Sequence, residues 1–272
     1  MPSSPWSRST LNGTTDVITP EYTPVEVSHR RILLSTAARV LRQLRHDPRT
    51  VALLLVAPVM LTGLLAWVLI DEPGAFDQWG PLLLGIFPLL VMFIVTSIAT
   101  LRERTGGTLE RLMTTTMAKF DFLGGYGLAF GAAAIVQAVL ASAFAFGLFG
   151  LTIAAPIAAV VLIAVLDALL GTSLGLFVSA FAHTEFQAVQ FLPALIFPQL
   201  LLCGIVAPTS ALPQPLETLS AVLPLTYAVD AMQQLTVHSS ITSGVWRDIA
   251  VLVVFIVAFV AAGAATLRRR TE

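Results

Sequence analysis

Six long apolar stretches dominate this 272-residue sequence, each near the ~20 residues that cross a bilayer core. The hydrophobic fraction is 56% and the charged fraction 11%, so the chain is far more apolar than a soluble domain. Helices satisfy their own backbone hydrogen bonds in lipid, so we predict an all-α membrane protein with six transmembrane helices. The predicted spans are 50–70, 81–101, 122–151, 157–181, 189–206 and 249–267. The third run is overlong, and irregular turns are predicted near Gly124 and Gly125.

Positive charge is strongly biased to one side of these spans. Fourteen of the fifteen Arg and Lys residues precede the first span, lie between the second and third, or follow the last. Only Arg247 falls on the other side, and the loop 71–80 holds three acidic residues and no cation. Because cytoplasmic loops carry the excess of Lys and Arg, both termini are predicted to be cytoplasmic.

The segment before the first span divides into a polar tail and an amphipathic helix. Residues 1–28 are rich in Ser, Thr and Pro, so we predict a disordered cytoplasmic tail. Residues 29–48 are predicted to form an Arg-rich helix that lies in the membrane interface, and an ordinary positive flank of the next span is the alternative. The apolar face is predicted from Leu33, Ala37, Val40, Leu41 and Leu44, and the polar face from Ser35, Arg39, Arg42, His46 and Arg49.

The linker 207–236 before the last span is apolar but broken by four prolines. A solvated loop would be more polar, and irregular backbone at membrane depth is tolerated where protein buries it. Prolines also end helices. We therefore predict a short re-entrant helical hairpin in the outer leaflet, with Pro224, Tyr227 and Asp230 as its marker residues.

The loop after the second span is the most specific signal in the chain. Two glycines can end the span, and the threonine that follows can cap a short helix whose first turn carries an acidic residue. The result is a dense group of mixed charges on the predicted cytoplasmic side, typical of a docking surface. A positive loop without a partner is the alternative. The docking residues are predicted to be Arg102, Glu103, Arg104, Gly107, Thr108, Leu109, Glu110 and Arg111.

Several function classes are excluded by what the sequence lacks. Its only lysine, Lys119, follows Met-Ala rather than the Gly-rich turn of a P-loop, so no phosphate cradle of that kind is present. If the chain takes part in ATP-driven work, the ATPase is another polypeptide. No His, Cys and carboxylate cluster has metal-ligand spacing. A net charge of −1 gives no case for nucleic-acid binding.

Two motifs resemble the permease subunits of type-2 ABC exporters, a group that includes daunorubicin/doxorubicin-resistance permeases. The pattern Arg-Glu-Arg, then Gly-Thr-Leu-Glu-Arg-Leu, matches residues 102–104 and 107–112. The pattern Pro-Leu-Thr-Tyr-Ala-x-Asp-Ala matches residues 224–231. The chain departs from the family at Thr116, Tyr126 and Gln233, where the family has Pro, Lys and often a basic residue.

The resemblance implies a permease domain over residues 49–272 and an ATP-driven exporter of drugs or lipids in a bacterial inner membrane. It implies two cytoplasmic ABC ATPase subunits that hold ATP and Mg²⁺, with no cofactor on this chain. A second permease half, identical or related, is also implied. The first, second and fifth spans would line the cavity. The candidate cavity residues are Leu64, Trp67, Phe87, Phe93, Phe197 and Gln199.

Asp167 lies in the middle of the fourth span, where an ionisable group is costly and often functional. It supports a rival hypothesis, a proton-coupled secondary transporter in which Asp167 is the relay. A shifted span, with Asp167 near an interface or paired with a neighbour, is the alternative. A third hypothesis is a membrane scaffold that recruits a partner without transport. Gln137 and Gln199 are predicted to bond between helices, and the pattern Gly171-x-x-x-Gly175 allows close helix packing.

Overall fold

The computed structural model describes residues 29–106 and 119–266 of the chain. Within those ranges every regular element is helical, which confirms the all-α prediction. Six of the helices are long and apolar enough to cross a membrane, as predicted. The α-helices are α1 (His29–His46), α2 (Pro48–Val68), α3 (Ala75–Thr105), α4 (Lys119–Gly147), α5 (Ile157–Val178), α6 (Glu185–Leu202), α7 (Gln214–Ser220), α8 (Pro224–Val237) and α9 (Ser243–Ala265).

α3 and α5 form the centre of the bundle and run in the same direction. Gly85 faces Asp167, Leu89 faces Gly171, and Phe93 faces Gly175, so equal steps along both helices keep them in register. A β-carbon at Gly171 would overlap the Leu89 carbonyl, and one at Gly175 would lie 2.8 Å from the Phe93 oxygen. The small-residue pattern of α5 therefore serves packing within the chain.

α3 is longer than predicted at both ends. The loop 71–80 was expected before it, but the helix starts at Ala75, directly after Gly74 in the left-handed conformation (φ +78°). Asp77 lies in the first turn of α3, where the helix dipole stabilises a negatively charged side chain. It also accepts hydrogen bonds from the Thr152 amide (2.7 Å) and hydroxyl (2.6 Å). These bonds tie the start of α3 to the segment after α4.

The prediction of irregular turns near Gly124 and Gly125 is wrong, because α4 is helical from Lys119 through both glycines to Gly147. The two glycines instead allow α1 to pack closely against α4. A β-carbon at Gly125 would lie 2.6 Å from Thr36, and one at Gly124 would lie 3.2 Å from the Leu33 side chain. The overlong apolar run is thus one long helix with a docking surface for α1.

α1 is helical from His29 to His46, and its predicted faces hold except at Leu41 and Arg39. Thr36, Ala37 and Val40 are buried, whereas Leu41 is exposed. Arg39, assigned to the polar face, turns towards the bundle and donates to the Tyr126 hydroxyl at 3.3 Å. The position of α1 in the membrane interface stays a prediction.

The proline-rich linker folds as a 3₁₀ turn (Thr209–Ala211) followed by α7 and α8, so short helices form where they were predicted. Pro224 is the first residue of α8. Proline is tolerated there because an amide in the first turn of a helix has no partner within the helix. The turn between the helices is closed by Thr226 and Tyr227, whose hydroxyls donate to the carbonyls of Ser220 (2.8 Å) and Ala221 (2.7 Å). The entry of this hairpin into the outer leaflet stays a prediction.

Candidate coupling site and transport surfaces

Three consecutive charged residues at the end of α3 contact three different parts of the bundle. Arg102 makes a two-point bond to Glu185, with nitrogen–oxygen distances of 2.6 and 2.9 Å. Glu185 is the first residue of α6, where Thr184 caps the helix by accepting from the Gln187 amide. A fork of this geometry holds the guanidinium and carboxylate in a fixed relative orientation. The end of α3 is therefore linked to the start of α6.

Glu103 faces the opposite way, towards α1. Its carboxylate accepts from the Gln43 amide at 3.4 Å and lies 3.8 Å from the Arg39 guanidinium. Arg39 in turn bonds the Tyr126 hydroxyl of α4. Tyr126 occupies the position where the resembling family has Lys, and in this chain Arg39 supplies a positive charge beside it.

Arg104 completes the set by contacting the end of α5. Its guanidinium donates to the Ser179 hydroxyl at 3.3 Å, and that hydroxyl donates to the Leu176 carbonyl at 2.6 Å. The end of α3 thus contacts α1, α5 and α6 through successive side chains. A displacement of this helix end would therefore change the contacts with all three helices.

The other five predicted docking residues, Gly107 to Arg111, lie outside the described residues. The structure does bring the first three together with partners that sequence reasoning missed. Those partners are Arg39, Gln43, Tyr126, Ser179 and Glu185. Tyr126, a polar side chain within an otherwise apolar span, was a local signal that could have pointed to this cluster.

The six predicted cavity residues do not share one surface. Leu64 (48%), Trp67 (73%) and Phe197 (52%) are exposed on α2 and α6. Phe87 is partly exposed on α3. Phe93 and Gln199 are buried instead, and both are packing residues in this structure. Leu64, Trp67 and Phe197 thus lie on α2 and α6, which are the least buried of the six long apolar helices.

The predicted interhelical role of glutamine holds at one position and not at the other. Gln199 donates to the Leu195 carbonyl at 2.9 Å, and its oxygen accepts from the Leu225 amide at 3.4 Å, which links α6 to the start of α8. Both amide atoms of Gln137 are buried, and neither has a hydrogen-bond partner in the described part of the chain.

The opposite end of the bundle carries a second polar cluster. Arg247, predicted to lie alone on the outer side, bonds Asp248 at 2.8 and 3.0 Å and the predicted hairpin residue Asp230 at 3.1 Å. Gln234 donates to both carboxylates, at 3.1 and 3.2 Å. These bonds join α8 to α9 and hold the hairpin on the bundle.

Asp167 lies mid-way along α5, as predicted, and is 2% exposed. One carboxyl oxygen lies against Gly85, and the other has no hydrogen-bond partner among the described residues. The alternative of a neighbour that pairs with it finds no support there. Within the same residues no group of His, Cys, Asp or Glu could hold a metal ion.

Six apolar helices, with charged helix ends at one side and a proline-broken hairpin before the last helix, define a multi-pass membrane protein of the permease type. The family described as "ABC-2 type transporter" matches residues 31–237, which is most of the chain. The chain therefore belongs to the ABC-2 type transporter family.

Relatives with printed names agree with this family. The chain is 25% identical over 190 residues to the "Probable multidrug ABC transporter permease YbhR" of Escherichia coli strains K12 and O157:H7, covering 70% of this chain and 52% of that protein. It is 30% identical over 141 residues to "ABC transporter G family member 20" of Dictyostelium discoideum, covering 52% of this chain and 19% of that protein. The chain thus spans about half the length of the permeases that it matches.

Proposed function

We propose that this chain is one permease half of an ATP-driven exporter of lipophilic or amphipathic compounds. Its energy would come from ABC ATPase subunits that bind at the end of α3, and those subunits would hold ATP and Mg²⁺. The protein would lie in a bacterial plasma membrane with both termini in the cytoplasm. Membership of the ABC-2 family and the names of the two permease relatives support this proposal.

The observation that carries the proposal is the triple contact at the end of α3. Arg102, Glu103 and Arg104 each engage a different neighbour, so a push on the following loop would reach α1, α5 and α6 together. Transport requires that ATP binding favour one arrangement of the helices over another. A helix end linked to three elements can convey that preference.

A second permease half would cover the exposed faces of α2 and α6. Only 17% of the most apolar part of each helix is buried within the chain. The exposed side chains include Leu64, Trp67 and Phe197. Two such faces opposed across a symmetry axis would enclose an apolar path, which suits lipophilic cargo.

Charge reversal at the two ends of the bundle tests both the docking role and the orientation. Glu110→Lys should reduce co-purification of the ATPase and ATP-dependent drug efflux, because it reverses charge in the proposed docking loop. Glu217→Lys on α7 is the matched control and should change neither. Unchanged association and efflux in Glu110→Lys would contradict the docking role. Loss of the ATPase in Glu217→Lys instead would reverse the proposed orientation.

A further inference from the structure

A cleft of about 420 Å³ lies within this single chain, between α1, α2, α3 and α4, at the end of the bundle where α3 ends. Its wall is apolar and includes Leu53, Val95 and Phe130. Its rim is polar and includes Asp47 and Glu103. An apolar cavity with a few convergent polar groups is the usual form of a small-molecule site. None of the six predicted cavity residues lines it.

The rim of the cleft favours a positive charge. Asp47 accepts from the Thr50 amide at 3.2 Å and hydroxyl at 2.6 Å, and these bonds lower the pKa of its carboxyl, so it is ionised at neutral pH. The carboxylate of Glu103 is already engaged by Gln43 at 3.4 Å, by Arg39 at 3.8 Å and by a side-chain hydrogen bond with Tyr126. In the described part of the chain Asp47 forms no ion pair, so it is the rim carboxylate that can receive a cation. The rim cation Arg102 is already engaged by Glu185 through two short bonds.

We propose that this cleft binds a lipophilic cation, with its apolar tail along the Leu53, Val95 and Phe130 wall and its positive head beside Asp47. The volume is in the lower part of the range of about 300–1,000 Å³ for small-molecule sites, which favours a single-chain amphiphile over a two-chain phospholipid. Because Glu103 also bonds α1, an occupant of the cleft touches the contacts that link α3 to its neighbours. The binding itself involves only residues of this chain, so it does not depend on the proposed function.

Direct binding to the full chain in lipid nanodiscs tests the site. The probe is radiolabelled dodecyltrimethylammonium, with uptake by empty nanodiscs subtracted. Saturable binding is expected, and dodecyl sulfate should compete at least roughly tenfold less well because its head carries the opposite charge. Binding should be the same with and without phosphatidylethanolamine in the nanodisc. Competition by that lipid would show that an aminophospholipid is the occupant and would overturn the single-chain assignment.

Two variants and one control locate the binding. Ala99 lines the cleft, and Ala99→Leu should weaken binding about tenfold by filling the tail site. Ala132→Leu adds the same side chain at an exposed position of α4 and should have no effect. Asp47→Asn keeps a side chain that can cap α2 but removes the charge, and should weaken binding roughly two- to fivefold.

Each result bears on the assignment. No saturable binding, equal competition by dodecyl sulfate, or unchanged binding in both Ala99→Leu and Asp47→Asn would overturn it. If Ala99→Leu does not fold, Asp47→Asn against wild type decides alone. Loss of export in cells with intact cation binding would count against the proposed function only, whereas intact export without cation binding would count against this site only.

Discussion

The α3–α5 pair and the helices α2 and α6 are all apolar enough to cross a membrane, yet they are buried to very different extents. In α3 and α5, 67% of the most apolar stretch is buried within the chain, against 17% in α2 and in α6. The buried pair is held by backbone contact at Gly171 and Gly175. The exposed pair presents Met60, Leu64 and Phe197 outwards. Hydropathy alone therefore does not separate a structural helix from one that meets lipid, cargo or a second subunit.

The largest effect is expected where α3 and α5 touch most closely. Gly171→Ala places a β-carbon against the Leu89 carbonyl, so the helices must separate, and we expect a loss of about 1–3 kcal/mol or more. Gly127→Ala is the matched control, because its β-carbon would meet Leu176 at an ordinary 3.6 Å. Thermal stability of the detergent-solubilised protein measures both. Equal stability of the two variants would show that the close contact does not hold the pair together.

A smaller effect is expected at the bond that joins the buried pair to an exposed helix. The side chains of Arg102 and Glu185 are 61% and 50% exposed, so Arg102→Glu should change stability by no more than about 1 kcal/mol. If the bond couples α3 to α6, ATP-dependent efflux should still fall at least roughly fivefold. The double variant Arg102→Glu with Glu185→Arg should recover much of it.

Efflux by the double variant distinguishes coupling from docking. If the charge pair is restored but efflux is not, Arg102 acts as a docking residue only. Glu185→Arg alone should behave like Arg102→Glu. Normal efflux in both single variants would remove this bond from the coupling path.

The smallest effect is expected at Asp167, within the buried pair. An unpaired charge at the bilayer centre costs at least roughly 2.5–3.5 kcal/mol on insertion scales, so the neutral Asp167→Asn should fold at least as well as wild type. In an ATP-driven permease the variant should keep export within about twofold. In a proton-coupled carrier it should abolish transport, because the relay can no longer titrate. Loss of transport with normal expression and ATPase association would favour the carrier.

The sequence predicted the number and order of the helices because apolar length is a local property that the bilayer imposes on each segment. It also predicted short helices in the linker 207–236, since prolines mark their boundaries. The family itself was identifiable from the Arg-Glu-Arg and Pro-Leu-Thr-Tyr motifs. Each of these features is set by residues that are close together in the sequence.

Contacts between distant segments were not predictable in the same way. The Arg102–Glu185 bond joins residues 83 apart, and the Asp77–Thr152 bonds that extend α3 join residues 75 apart. Gly124 and Gly125 were interpreted as points of irregularity, but their role is set by Thr36 on another helix. The inward position of Arg39 on α1 has the same origin, because this side chain contacts Tyr126 and Glu103 on other helices.

We propose that the exposed faces of α2 and α6 meet a second permease half, whereas other exposed apolar faces meet lipid. Met60 on α2 is 56% exposed and Val254 on α9 is 66% exposed, so a photo-activated benzoylphenylalanine at either site is accessible from outside the bundle. After irradiation of intact membranes, we expect the Met60 variant to form a cross-linked product of the mass of two permease halves, and the Val254 variant to form none. A cross-link from Val254 with none from Met60 would contradict the account.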